Sequence, residues 1–180
     1  VYVSSTMDGT VTVFDENGER RSEWPDFIEP QGISIGPDNF IYIADSGSNT
    51  IQKYDSDGNK ISELPSYGDA YGSLRSVQDV TVDDQGMIYV PSFNIWLGPK
   101  IFKFSPDWTL VQEVSPQTDS IITGIDVDRE GNLYVTTSGG IQKYDPSGNF
   151  LMNIGAVTGN AEPGEFSQGC HDIYLTTGDL

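Results

Sequence analysis

A chain of 180 residues is one ordinary domain in length, and it also divides into four units of about 45 residues. Gly and Pro together number 30 and the aromatics 20, a mixture of tight turns and aromatic-rich strands that argues against a helical bundle. With 27 acidic against 9 basic residues the formal charge is −18, a field that repels phosphate backbones and anionic membrane surfaces and makes nucleic acid a poor partner. No run approaches the roughly 18 apolar residues of a membrane helix, so membrane insertion is not expected. The opening at Val1 lacks the charged and apolar regions of a signal peptide. The single cysteine, Cys170, excludes an internal disulfide and a multi-cysteine zinc site.

Along the chain, similar strings return in fixed order. VYVSS opens at Val1, VTVFD follows from Val11, and the turn ENG leads to the weaker apolar segment RRSEW. The second unit adds a preceding string, ISIGP from Ile33, then IYIAD from Ile41, IQKYD from Ile51, the turn SDG and ISELP. The third runs VTVDD from Val80, IYVPS from Ile88, IFKFS from Ile101, PDW and LVQEV, with the linker before IFKFS expanded to SFNIWLGPK. The fourth runs IDVDR from Ile125, LYVTT from Leu133, IQKYD from Ile141, PSG and FLMNI. A last copy of the preceding string, IYLTT, begins at Ile173.

Each unit reads as four short strands punctuated by Gly, Asn, Asp and Pro, with no helical period. The second strand is apolar or small at nearly every position and later strands are more polar, as in a radial blade covered on both faces. Four-stranded units of this length predict an all-β fold, a β-propeller of four-stranded antiparallel blades. The blades fall at about 1–24 plus 172–180, 32–64, 79–114 and 124–154. The termini are complementary, residues 1–24 supplying strands two to four and residues 172–177 a first strand. Two explanations stand: a closed four-bladed ring, or a window of a longer propeller. The start without Met and the end after TTGDL favour the window, with six blades as the parent.

The stretch PQGISIGPDNFIYIADSGSNTIQKYDSDGNKI, Pro30 to Ile61, resembles the NHL-repeat propellers in its Pro-x-Gly-Ile, Ile-Tyr-Val-Ala-Asp and Gln-Lys-Phe-Asp elements. The linker GNAEPGEFSQG, Gly159 to Gly169, is similar to the family's lead-in, and YGSLRSVQD, Tyr71 to Asp79, is a looser copy. Thr50 departs from the pattern where Arg is common, and so does the expanded third-unit linker, which is read as a long loop. The resemblance spans essentially the whole chain and implies the fold rather than a function.

His171, the only histidine, is placed at the start of a first strand, in the position of Gly32, Asp79 and Gly124, where it would line the channel. Its setting resembles the string that supplies a zinc ligand in the peptidylglycine amidating lyase, but that site needs three histidines. A polar channel-lining or structural role for His171 is therefore the first expectation. Asp55-Ser-Asp57-Gly-Asn59 resembles the start of a calcium loop, yet hairpin-turn geometry alone explains it. Asp83, Asp84, Asp126 and Asp128 come from inner-strand regions of adjacent units and offer oxygens to a channel cation. No cofactor is expected; calcium or another divalent cation held by His171, Asp84, Asp126 and Asp128 is the weaker alternative.

The loops joining strand two to three and strand four to the next strand one open on one face of a propeller. They carry Trp24, Phe27, Tyr67, Asp69, Tyr71, Arg75, Phe93, Trp96 and Phe166. Aromatics at such positions suit recognition of a partner, with Phe166 and Leu74 assigned instead to packing. The binding candidates are Trp96, Tyr67, Tyr71, Phe93, Arg75 and His171. The expectation is a non-enzymatic scaffold that binds a protein, peptide or glycan, as a module of a larger secreted or surface protein located outside the cell. Its acidity favours a basic or cation-bridged partner, and an incomplete ring would self-associate. The alternative is a metal-dependent hydrolase or lyase of the lactonase or amidating-lyase kind, using channel carboxylates and His171.

Overall fold

A computed structural model describes residues 1–64, 74–155 and 172–175. Among the described residues there is no helix, and the strands form four antiparallel meanders. The first has three strands, β1 (Tyr2–Ser5), β2 (Thr10–Phe14) and β3 (Arg20–Trp24). The second comprises β4 (Pro30–Ile35), β5 (Ile41–Asp45), β6 (Thr50–Tyr54) and β7 (Lys60–Leu64). The third comprises β8 (Thr81–Val82), β9 (Ile88–Asn94), β10 (Gly98–Phe104) and β11 (Leu110–Val114), and the fourth β12 (Ile125–Val127), β13 (Leu133–Thr137), β14 (Gly140–Tyr144) and β15 (Phe150–Ile154).

The recurrent turn strings close the outer hairpins by one mechanism. Asp15, Asp55 and Asp145 each accept two backbone N–H bonds on Oδ1, from Asn17 and Glu19, from Asp57 and Asn59, and from Ser147 and Asn149. The next requirement is a left-handed residue, met by Gly18, Gly58 and Gly148 at φ of 79°, 87° and 83°. In the third sheet Trp108 takes that place at φ 67°, costly for a bulky residue. Its indole explains the exception: Nε1 donates to Ser62 Oγ of the second sheet at 3.1 Å, and the ring meets Tyr42 edge-on. The turn residue has become a packing residue between sheets.

The tyrosine of the central string is explained by a second repeated contact. Tyr42, Tyr89 and Tyr134 pair across the ladder with Lys53, Lys103 and Lys143, whose ammonium groups lie 5.0, 5.0 and 4.7 Å from the ring centroids. Each tyrosine hydroxyl donates to a carboxylate in the turn before its strand, Asp38, Asp83 or Asp128. Lys53 also reaches Asp38 at 2.8 Å. Burial would raise the Asp38 carboxyl, but the hydrogen bond and charge of Lys53 outweigh it and hold the group below its ordinary range.

Three apolar layers lie between neighbouring sheets. Val11, Trp24 and Phe27 meet Ile41, Ile43 and Tyr54; Tyr42, Ala44, Ile51 and Leu64 meet Leu74, Val80, Ile88, Val90, Phe102 and Phe104; Tyr89, Ile101 and Val114 meet Ile125, Leu133, Val135 and Tyr144. Leu74 packs as expected, whereas Trp24 and Phe27, grouped with the surface aromatics from sequence, are buried. These layers need both faces of β5 and β6 to be covered, and all ten of their residues are buried.

The sheets converge at their inner strands. Ser4 Oγ donates to Gln31 O at 2.7 Å, Gly32 N to Gln78 O at 3.0 Å, and Ile125 N to Asp79 Oδ2 at 2.8 Å. Asp126 then accepts from Thr81 Oγ1 at 2.9 Å and from Leu175 N at 2.7 Å. Such contacts leave no room for side chains at the tightest points. A Cβ on Gly32 would lie 2.6 Å from Asp79 Cα, and one on Gly124 would lie 2.7 Å from Asp172 Cα. The same geometry corrects the register of the last inner segment. Asp172, directly before Ile173, shares the position of Gly32, Asp79 and Gly124; His171 falls one place earlier, with Gln31, Gln78 and Thr123.

Gly32→Ala and Gly124→Ala are expected to lower unfolding free energy by about 1–3 kcal/mol through forced separation of the inner strands. Gly139→Ala, where the nearest atom is Thr137 Oγ1 at 3.8 Å, is the control and should cost little. Denaturant titration checks this; equal stability of all three variants would refute the close-approach account.

Candidate functional site

In an antiparallel meander, the turns between strands two and three and the segments entering strand one emerge on the same side. Here that side differs chemically from the other. The β1–β2 turn exposes Met7, the segment entering β4 exposes Ile28, the segment entering β12 exposes Ile121, and the β9–β10 hairpin exposes Ile95, Trp96 and Leu97. The opposite side presents the Asp-Asn-Gly turns described above, whose large apolar residue Trp108 is turned into an inter-sheet layer.

The third sheet's extra residues do not form a long loop. SFN continues β9 and GPK begins β10, so the ladder runs from Phe104 opposite Ile88 to Gly98 opposite Asn94. Three residues, Ile95 to Leu97, make the tip. The expansion read from sequence is thus an extended hairpin, because the added residues alternate well enough to keep pairing. Asn94 Oδ1 accepts the Trp96 N–H at 2.9 Å, which fixes the tip, and Trp96 is 81% exposed.

Beside this hairpin lies an open cavity of about 580 Å³ between the second and third sheets. It brings together three of the residues singled out from sequence, Arg75, Phe93 and Trp96. The last residue of each central string positions the rim. Asp45 accepts the N–H groups of Ile28 and Glu29 at 3.1 and 2.9 Å. Its counterpart Ser92 accepts the Arg75 N–H at 2.8 Å, and Phe93 N donates to Arg75 O. Arg75 makes no ion pair among the described residues. The remaining lining was not singled out from sequence: Glu29, Gln31, Ser46, Asn49, Ser76, Gln78, Asn94 and Ile95. Only the position of Asn94 and Ile95 inside the expanded string carried any signal. Tyr67, Tyr71, Asp69, Phe166, Cys170 and His171 lie outside the described residues.

A second cavity, of about 640 Å³, is the central channel, lined by β1, β4, β8, β12 and residues 172–175. Three carboxylates face it or its wall: Asp79, Asp126 and Asp172. Asp79 is 9% exposed. Burial pushes its carboxyl up, against hydrogen bonds from Ile125 and Val80 and with the charges of Asp172 and Asp126, to about 7.

Of the proposed cation ligands, Asp84, Asp126 and Asp128 are not brought together, and His171 lies outside the described residues. Asp126 lies in the channel wall, Asp84 is exposed in the β8–β9 turn, and Asp128 begins the β12–β13 turn, where it accepts Asn132 N and Nδ2 and Tyr134 OH. Asp83 is likewise engaged in a turn, accepting Gln85 N, Met87 N and Tyr89 OH. Turn closure claims these side chains for the local backbone, which the sequence pattern of alternating Asp cannot distinguish from a ligand set. Among the described residues no three His, Cys, Asp or Glu side chains are grouped as for a metal ion.

Residues 27–54 match the family model of the NHL repeat, in the stretch whose strings carried that resemblance. No curated protein matches the chain. Among solved structures, virginiamycin B lyase from Staphylococcus aureus aligns with a TM-score of 0.67 at 16% identity, over 85% of this chain and 51% of the lyase. A protein of unknown function from Bacteroides caccae gives 0.64 at 14%, over 86% and 58%. A gluconolactonase from Xanthomonas campestris gives 0.57 at 14%, over 95% and 73%. The chain therefore spans about half the length of the lyase it matches. At these identities the likeness is one of β-propeller fold.

The elevated Asp79 pKa fixes a sign. The folded carboxyl keeps its proton to about pH 7 whereas an unfolded one releases it near pH ~4, so folding binds a proton between those values. Stability is then highest at the acid end of this window and falls as pH rises through 7. Thermal melts from pH 5 to 8 should show that fall in the native sequence and a flatter profile in Asp79→Asn; identical slopes would rule out Asp79 as the source.

Proposed function

We propose that this NHL-repeat β-propeller chain is a binding scaffold rather than an enzyme, and that it presents its apolar loop face to a protein, peptide or glycan partner. The observation that carries this reading is the cavity beside the β9–β10 hairpin, where Arg75 of the segment entering β8 meets Phe93 in the paired arm and the exposed Trp96 at the tip. An exposed tryptophan beside a concave, partly polar site is the composition of an interface anchor. Holding it in a three-residue tip between two paired strands, with its N–H fixed by Asn94, lowers the ordering cost of binding. The placement of the module in a larger secreted or surface protein belongs to the same proposal, as does a preference for basic or cation-bridged partners, which the charge of −18 supports.

A second reading, a cation-dependent hydrolase or lyase, draws on the channel carboxylates Asp79, Asp126 and Asp172. It has weaker support. Asp79 and Asp126 already accept bonds from neighbouring inner strands and so are engaged in holding those strands together.

Two measurements separate these readings. Screening the purified chain against immobilised peptide and oligosaccharide libraries should yield ligands whose affinity falls at least about tenfold in Trp96→Ala, equivalent to about 1.4 kcal/mol, and is unchanged in Glu16→Ala on the opposite side. Ligands insensitive to Trp96 would place the interface elsewhere. Metal analysis is expected to find no stoichiometric divalent ion and chelation to leave the melting temperature unchanged; a stoichiometric metal whose removal lowers it would favour the hydrolase or lyase.

A further inference from the structure

We infer that the cavity beside Trp96 takes an uncharged sugar ring, a neutral hexose or N-acetylhexosamine unit of a glycan; this rests on the binding-face reading and narrows its partner class. The first support is the chemistry of the walls. Four side-chain carboxamides, those of Gln31, Asn49, Gln78 and Asn94, line the cavity with the hydroxyls of Ser46 and Ser76. A sugar hydroxyl both donates and accepts, and a carboxamide offers one donor group and one acceptor group in a fixed plane, so the two are matched pair for pair. Charged groups are a minority here, a single Arg and a single Glu.

The second support is what the walls leave unpaired. Asn94 spends Oδ1 on the Trp96 N–H, leaving its amide group for a ligand. Gln31, by contrast, is already joined to Ser46 through Nε2 at 2.8 Å, a contact that orients both.

The third support is the platform. Trp96 stands at the hairpin tip with its indole in solvent, and the negative face of an aromatic ring attracts the electropositive C–H face of a pyranose as it does other ring edges. A peptide held by strand addition would need a free ladder edge, and none is present at this hairpin: β9 is paired with β8 and β10, and β10 with β9 and β11. The net charge of −18 selects against sialylated, sulfated or uronic acid glycans before contact is made. The cavity, at about 580 Å³, has the size of a small-ligand site.

The test is an array of neutral gluco-, galacto-, manno- and N-acetylglucosamine oligosaccharides, with sialylated, sulfated and uronic acid glycans and a random peptide array alongside, probed with the whole chain. Binding to a neutral glycan is expected, with a loss of at least about tenfold in Trp96→Ala and in Gln78→Ala, whose side chain makes no hydrogen bond among the described residues. Titration of the bound oligosaccharide should shift tryptophan emission to shorter wavelength in the native chain and not in Trp96→Ala, because Trp24 is only 5% exposed and Trp108 is engaged with Ser62. A preference for anionic glycans overturns the inference. Peptide binding that depends on Trp96, with no glycan bound, overturns it and leaves the binding face standing. Absence of any Trp96-dependent ligand overturns both.

Discussion

The near contact of inner strands around the channel is the constraint on which the rest of the structure depends. Sheets arranged as a fan must almost touch at the centre, and there the backbone has to supply the bonds itself or through very short side chains. Gly32 against Asp79 and Gly124 against Asp172 show the solution, a residue without Cβ facing one whose carboxylate caps backbone N–H groups. Farther out the gap is filled by Ile, Val, Leu, Tyr and Phe side chains, with Trp24 supplied by an outer strand and Trp108 by an outer turn.

The same constraint divides the chain's carboxylates into classes with different tasks. Those in outer turns, such as Asp55 and Asp145, sit in water and are held below their ordinary range by bonds from the Asn side chain and backbone four residues on. Those beneath the tyrosines join turn, ring and lysine. Asp79 lies where burial dominates and behaves oppositely. A chain of charge −18 therefore spends much of its acidity on closing turns, and the count of Asp residues overstates what is free to bind a cation.

Rigidity at the centre also determines where recognition is placed. Strand one and strand two of each sheet are committed to neighbours, so variation is tolerated only where a meander turns. Lengthening β9 and β10 raises Trp96 above the surface without breaking a ladder bond, and the resulting cavity borrows its other wall from the second sheet. Since Arg75 and Glu29 are held through Ser92 and Asp45, residues of the repeat itself, the scaffold and the site share the same hydrogen bonds.

The recurring strings by themselves determined the architecture, because strand length, turn chemistry and the aromatic second position are local properties repeated often enough to be unmistakable. They also marked the third unit as the individual one, through SFNIWLGPK. They did not reveal that this string pairs with itself, or that Trp24 is buried while Trp96 is exposed. Nor did they assemble Asn49, Gln78 and Asn94 into one wall. Those facts depend on which sheet lies beside which and how closely. An amide or a carboxylate looks the same in a strand whatever faces it, and only tertiary packing decides whether it closes a turn, bridges two blades or waits for a ligand.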